Sequence, residues 1–245
     1  MAAAGCKKDP TTDNNTVGKH IEKVYMQNIT VVNGDSTIVD RFLFEEWTWD
    51  GDELKTVKHY VNDSTLQSTA TYTYTNGHIT RIDVLSAQTG NLNRTDFTYD
   101  AAGKILSSVE YYKDTLTNQF TYNYDETGKM SGYVSTHHDY SNGGHIEETS
   151  NHDIEWTGNN ITQIANHEAD TAGSIYTYDN NHNPYLGIVE SGRVFVWASE
   201  NNVVTMDGQT NNYTYDSEGW PILRTFTVSY GIISSSTKMY YEYNR

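Results

Sequence analysis

From residue 44 onward the chain repeats an aromatic-x-aromatic triplet followed by a turn, and no other feature restricts the fold as tightly. It reads Trp47-Thr48-Trp49-Asp50-Gly51, Tyr72-Thr73-Tyr74-Thr75-Asn76-Gly77, Phe97-Thr98-Tyr99-Asp100 with Gly103, and Tyr122-Asn123-Tyr124-Asp125 with Gly128. Further copies are Ile154-Glu155-Trp156-Thr157-Gly158, Tyr176-Thr177-Tyr178-Asp179, Phe195-Val196-Trp197, Tyr213-Thr214-Tyr215-Asp216 with Gly219, and Tyr241-Glu242-Tyr243-Asn244. The second aromatics of these nine copies lie 25 residues apart at first and 18 to 32 apart later. A period of that size marks an array of supersecondary units rather than a catalytic motif.

Each copy reads as half of a hairpin. Aromatics two apart share one face of a strand, the Thr, Asn or Glu between them faces the other way, and both residue types favour the pleated state. The Asp, Asn and Gly that follow reverse the chain. In Tyr99-Asp100-Ala101-Ala102-Gly103-Lys104-Ile105 the Asp is placed to bond backbone amides across the turn, and Gly103 supplies the positive φ needed to re-enter the ladder. The strand after the turn, Lys104 to Tyr111, is expected to alternate again. No helical periodicity appears, so the fold class is all-β with almost no helix.

The aromatic-x-Tyr-Asp-x-x-Gly-Lys-Ile pattern, in Phe97 to Ile105 and again in Tyr122 to Met130, resembles the YD repeat of Rhs-type proteins. Together with the N-terminal segment described below, it resembles more closely the Bacteroidetes envelope lipoproteins that carry a domain of unknown function with a porin-like fold. The resemblance covers roughly residues 18–245 and is sharp in four copies. Where YD repeats commonly have Arg after the Gly, this chain has Lys104, Lys129 and Trp220. It is also far shorter than an Rhs shell, so encapsulation of a cargo does not carry over.

The two ends of the domain complete one another. Gly18-Lys19-His20-Ile21 reads as the half of a repeat that follows the turn, and Tyr241-Glu242-Tyr243-Asn244 as the half that precedes it. Nine hairpin-like units give an antiparallel up-and-down meander of about 18 strands, an even number that lets the first and last strands pair. Residues 19–25 are therefore expected to pair with 237–243 and close the sheet, or nearly close it, into a barrel. Segments such as Thr69 to Thr75 put Thr on one face and Tyr on the other, unlike the aliphatic outer band of a lipid-spanning barrel. The expectation is a soluble barrel with its Tyr and Trp rows inward. The low count of 3 Pro suits long ladders, since a Pro within a strand removes a backbone donor.

Cys6 is the single cysteine and excludes an intramolecular disulfide. It follows Ala2-Ala3-Ala4-Gly5 and precedes a polar run through Asn15. Small residues before a cysteine and a hydrophilic stretch after it resemble the processing site of a bacterial lipoprotein, in which the cysteine becomes the lipidated first residue. Residues 1–17 are read as a disordered tether carrying a signal-peptide remnant, and 18–245 as one domain. The expected address is the bacterial cell envelope, lipid-anchored to the outer membrane, with the bilayer as a partner through the acylated Cys6. With 16 basic against 32 acidic residues, the net charge of −16 argues against a nucleic-acid partner.

Candidate sites are few. His137, His138 and His145 flank the turn at Ser141 to Gly144, and across such a hairpin His137 or His138 is placed to approach Glu147 or Glu148 as a candidate divalent-metal surface. Without a His-x-His pair or a His-Glu-x-x-His helix they read as a solvated loop, and no metal is expected. The acidic turns Asp50-Gly51-Asp52-Glu53 and Asp125-Glu126 do not match a twelve-residue calcium loop and read as turn chemistry. Trp220, between Gly219 and Pro221, sits at a turn rather than on a strand and is the candidate ligand-binding residue, able to stack on a sugar or another protein. No nucleophile elbow or phosphate loop occurs, so no catalytic residue and no cofactor are expected. The leading expectation is a non-enzymatic envelope protein that binds a glycan, peptide or protein. The alternatives are an envelope hydrolase with paired carboxylates inside the barrel and a purely structural surface protein.

Overall fold

A computed structural model describes residues 19–141, 144–167, 173–189, 194–230 and 233–244. Cys6 and the 1–17 tether lie outside the described residues. In chain order the elements are β1 (Ile21–Val32), β2 (Asp35–Ile38), β3 (Phe42–Asp50), β4 (Glu53–Asn62), β5 (Thr65–Thr75), β6 (His78–Ser86), β7 (Leu92–Tyr99), β8 (Ile105–Tyr112) and β9 (Thr115–Tyr124). They continue as β10 (Met130–Asp139), β11 (Ile146–Thr157), β12 (Asn160–Asn166), β13 (Ser174–His182), one helical turn α1 (Val194–Trp197), β14 (Asn201–Met206), β15 (Gln209–Tyr215), β16 (Pro221–Tyr230) and β17 (Ile233–Tyr243).

Every pairing is antiparallel and, apart from the closing seam and the pairing of β1 with β3, joins neighbours in the chain. β1 pairs with β17 from Ile21↔Tyr243 to Val32↔Ile233, which closes the ring as the two terminal half-repeats predict. Arg41 clasps the seam from outside, its guanidinium 4.3 Å from the Tyr25 ring and 4.4 Å from the Tyr240 ring. On its other edge β1 pairs with β2 near one end and with β3 near the other, so those two short strands act as one interrupted strand. The ring thus has 16 strands rather than the expected 18. The difference lies in the copy at Phe195 to Trp197, whose backbone forms α1 instead of a strand. Its aromatics are followed by Ala198-Ser199-Glu200, without the Asp or Gly that turns the other copies.

The strands after the turns do not alternate strictly, which corrects the sequence expectation. Tyr99 pairs with Ile105 but Thr98 pairs with Ser107, leaving Leu106 as a bulge. The same one-residue slip follows Trp49, Tyr74, Tyr124, Trp156, Tyr215 and Tyr243. A bulge sharpens the local twist and bends the strand. Repeated at one rim, it gives the sheet the curvature that closure requires. It also converts the buried spacing from two to three residues, as in Ile21 and Val24, Leu54 and Val57, and Ile79 and Ile82.

The second aromatic of each repeat is Tyr or Trp, never Phe, because its polar atom fastens neighbouring repeats together. Trp49 Nε1 donates to the Ile21 carbonyl at 2.8 Å, Tyr99 Oη to Ile79 at 2.7 Å, Tyr124 to Ile105 at 2.8 Å, Trp156 Nε1 to Met130 at 2.7 Å and Tyr243 to Pro221 at 2.8 Å. Each acceptor is the first inward residue after the preceding turn and lies two residues before the pairing with the next repeat begins. The residue after the turn glycine then caps the next ring. His78 stacks on Tyr99 at 4.8 Å, Lys104 Nζ lies 5.1 Å from the centre of Tyr124, and Lys129 Nζ lies 5.4 Å from that of Trp156. The turns hold as expected: Asp100 Oδ1 accepts from the Ala102 and Lys104 amides, and Gly103 has φ +82°.

Candidate functional site

The inward rows of Trp47, Phe97, Tyr122, Tyr133, Tyr176 and Tyr241 form one buried cluster. They do not fill the barrel. A cavity of about 870 Å³ remains between the walls near β3 to β6 and those of β14 to β17, within the size range of small-ligand sites. Asn183, Pro184, Tyr185 and Ile188, from the connection that replaces a tight turn between β13 and β14, line this cavity and plug the barrel. Asn183 caps that segment: its Oδ1 accepts the Tyr185 amide at 3.0 Å, and its Nδ2 donates to the carbonyls of Val196 at 2.6 Å and Ser199 at 2.9 Å. Ser199 is fully buried; its Oγ donates to Tyr178 Oη and accepts the Ile161 amide. It thereby supplies the link between repeats that Tyr178 does not make directly.

Tyr185 carries the plug into the interior, its ring 6.0 Å from Trp47 and 6.4 Å from Tyr241. Burial drives its hydroxyl well above the ordinary phenol range, so it stays a neutral donor and acceptor. Four charged side chains line this space, Glu45, Arg94, Glu110 and Arg224, and Arg94 pairs with Asp96 at 3.1 Å. Glu45 is buried and accepts from Trp47 Nε1 at 2.9 Å, with His59 Nδ1 at 3.5 Å. Arg224 donates through Nε to Asn211 Oδ1 at 3.0 Å and also hydrogen-bonds Tyr241. Among the described residues no carboxylate pairs with it. Arg224 is half-buried and lines the cavity, and a partly desolvated guanidinium without an anion favours an anionic ligand.

Arg224 and Glu45 were not singled out from the sequence, although a signal for Arg224 exists. Superposing the repeats on their bulges puts Val24, Val57, Ile82, Ser108, Tyr133 and Arg224 in one register. One charged residue in an inward register that otherwise holds apolar, aromatic or small side chains marks a site rather than core. The 183–200 segment is signalled by Asn183-Pro184 and by an aromatic pair lacking its turn.

Trp220 is not among the residues lining the cavity. It sits half-buried at the rim that carries the tight turns, stacked on His182 at 4.7 Å and tilted against Tyr243 at 5.7 Å. Of the histidines, His137 and His145 are exposed as a loop reading requires, but His138 is buried. The acidic turns act locally, Asp52 with His20 at 3.1 Å and Glu53 with Lys55 at 2.5 Å. Glu45 and Glu110 both line the cavity, and Glu110 accepts from Asn118 at 2.6 Å.

The chain matches no family model and no curated protein. Among solved structures it is similar to a porin-like protein from Bacteroides uniformis, with a TM-score of 0.53 and 12% identity over 91% of this chain and 96% of that one. A porin-like protein from Bacteroides vulgatus aligns with a TM-score of 0.41 and 11% identity over 93% of this chain and 99% of that one. The first of these likenesses shows a shared porin-like β-barrel fold.

Proposed function

We propose that this protein is a non-enzymatic binding protein of a bacterial cell envelope, lipid-anchored through Cys6, whose barrel interior takes a short acidic glycan. The observation that carries this reading is Arg224, a guanidinium at the wall of an 870 Å³ cavity with no carboxylate paired to it among the described residues. The surroundings fit a sugar acid. Trp47, Tyr72 and Tyr213 offer ring faces, Asn93, Asn202 and Asn211 offer amides, and Arg224 offers the planar fork that suits a carboxylate.

A barrel standing in water rather than lipid is supported by its outer wall. Exposed cross-strand hydroxyl pairs join Thr98 to Ser107 at 2.7 Å, Thr136 to Thr149 at 3.1 Å and Thr227 to Ser236 at 2.7 Å, and Arg81 pairs with Asp96 at 2.7 Å. Such groups are expensive against hydrocarbon. The chain enters β1 at the rim that carries the tight turns, so a tether from Cys6 to Lys19 holds that rim within about 45 Å of the bilayer.

Calorimetric titration with short uronate-containing and neutral oligosaccharides tests the reading. The acidic sugars are expected to bind, and Arg224→Met to weaken them at least tenfold while the fold, checked by thermal melting, persists. Equal binding of neutral and acidic sugars, or unchanged affinity in Arg224→Met, would overturn it.

A further inference from the structure

At the rim opposite the chain termini, the β10–β11 hairpin gathers three metal-ligating side chains on the outer wall. His138 and Glu147 are direct cross-strand partners, and His145 lies two residues before Glu147, so all three face the same way. His138 is 6% exposed, and its Nε2 is buried with no hydrogen-bond partner among the described residues. Packing therefore holds the ring and leaves Nδ1 as its open nitrogen. His145 is exposed but braced by Tyr140, whose ring lies 4.7 Å away and 5° from parallel.

The donor atoms form a nearly regular triangle. His138 Nδ1 is 3.0 Å from His145 Nε2 and 3.5 Å from Glu147 Oε1, and His145 Nε2 is 3.6 Å from the same oxygen. Ligands about 2.0–2.1 Å from a tetrahedral ion are separated by roughly 3.3–3.4 Å, and the three measured edges straddle that value. Without an ion, one shared proton bridges the two imidazoles, and the carboxylate sits beyond the 3.2 Å limit of an ordinary hydrogen bond to either. A cation at the centre would serve all three lone pairs at once.

We propose that His138, His145 and Glu147 bind a divalent transition-metal ion, Zn²⁺ before Ca²⁺ or Mg²⁺ because two of the ligands are imidazoles, with the fourth position open to water or a partner group. The ion ties His138 on one side of the hairpin to His145 and Glu147 on the other, from outside. This site is independent of the cavity.

The test is titration of tag-free, full-length protein with Zn²⁺ against a chromophoric chelator, alongside His145→Ala, Glu147→Gln and, as a control, His137→Ala. His137 points to the opposite face, where it meets Asn118 at 2.9 Å. Both site variants sit at exposed positions and are expected to keep the fold. One equivalent of Zn²⁺ should bind to wild type and to His137→Ala, at least tenfold more weakly to His145→Ala and Glu147→Gln, and excess Ca²⁺ should not displace it. Co²⁺ should give the intense visible absorption of a tetrahedral site in wild type and His137→Ala, and not in His145→Ala or Glu147→Gln. Equal Zn²⁺ affinity in all four proteins, or displacement by Ca²⁺, would overturn the proposal.

Discussion

The hydroxyl of Tyr124 donates to the backbone carbonyl of Ile105, 19 residues earlier and one repeat back, at 2.8 Å. Ile105 pairs with Tyr99 on one side, but on the other the β8–β9 pairing begins only at Ser107↔Thr121. A side chain from the following repeat extends it, and the ring that delivers the hydroxyl is half-buried in the same step. The aromatic triplet is thus a joint between units, with the first ring as core and the second as fastener.

Removing that fastener should cost stability without altering shape. Tyr99→Phe and Tyr124→Phe each leave a carbonyl unpaired and are expected to lose about 1–2 kcal/mol in urea denaturation with an unchanged m-value. The double variant should lose close to the sum. A loss below about 0.3 kcal/mol in both would show that water satisfies the freed carbonyls.

The turn glycines should fall into two classes. Gly103 has φ +82°, and an added methyl would lie 2.8 Å from the His78 ring, whereas Gly90 has φ +69° and open space around it. Gly90→Ala should cost about 1 kcal/mol for the backbone alone, and Gly103→Ala more, because the stack of His78 on Tyr99 must also shift. Equal melting temperatures for the two variants would contradict this.

Burial pushes the phenols of Tyr99, Tyr124, Tyr133 and Tyr178 up to about 12 from the ordinary 10. Below pH 10 both folded and unfolded chains keep these protons, so stability is unaffected. Between pH 10 and 12 the unfolded chain releases protons that the folded chain retains, and each phenol then lowers stability by about 1.4 kcal/mol per pH unit. Unfolding should begin steeply above pH 10, and the last share of the tyrosinate absorbance near 295 nm should rise only together with loss of circular dichroism. Completion of the tyrosinate signal well before unfolding would refute the assignment.

The proposed lipidation has a direct readout. Bacterial cells expressing the protein from its own gene and fed an alkyne fatty acid should label it, and Cys6→Ala should abolish the label and release the barrel from the membrane fraction. Persistence of Cys6→Ala in that fraction would mean that the barrel itself holds the bilayer.

The meander, its inward aromatics and its closure were legible because each rests on side-chain period and turn chemistry, which are written residue by residue. The bulges were not, since Leu106 looks like any strand residue until its neighbours' pairings are known. Reading Phe195 to Trp197 as a ninth copy gave weight to two rings and too little to the missing turn residue. Arg224 was hidden for a related reason: its meaning depends on a register that the bulges define. His138 looked solvated because hairpin loops usually are, and only the packed hairpin shows it covered.

The seam between β1 and β17 also bears on how the molecule is made. Val24 meets Tyr241, so a ribosome must finish nearly the whole chain before the first strand finds its last partner. Until then the growing sheet keeps one edge at its N-terminal strand and another at its newest strand, each open to pairing with a stranger. The contacts that end this exposure span more than 200 residues of sequence, the kind of topology that folds slowly. Synthesis of this barrel is therefore a race between ring closure and aggregation.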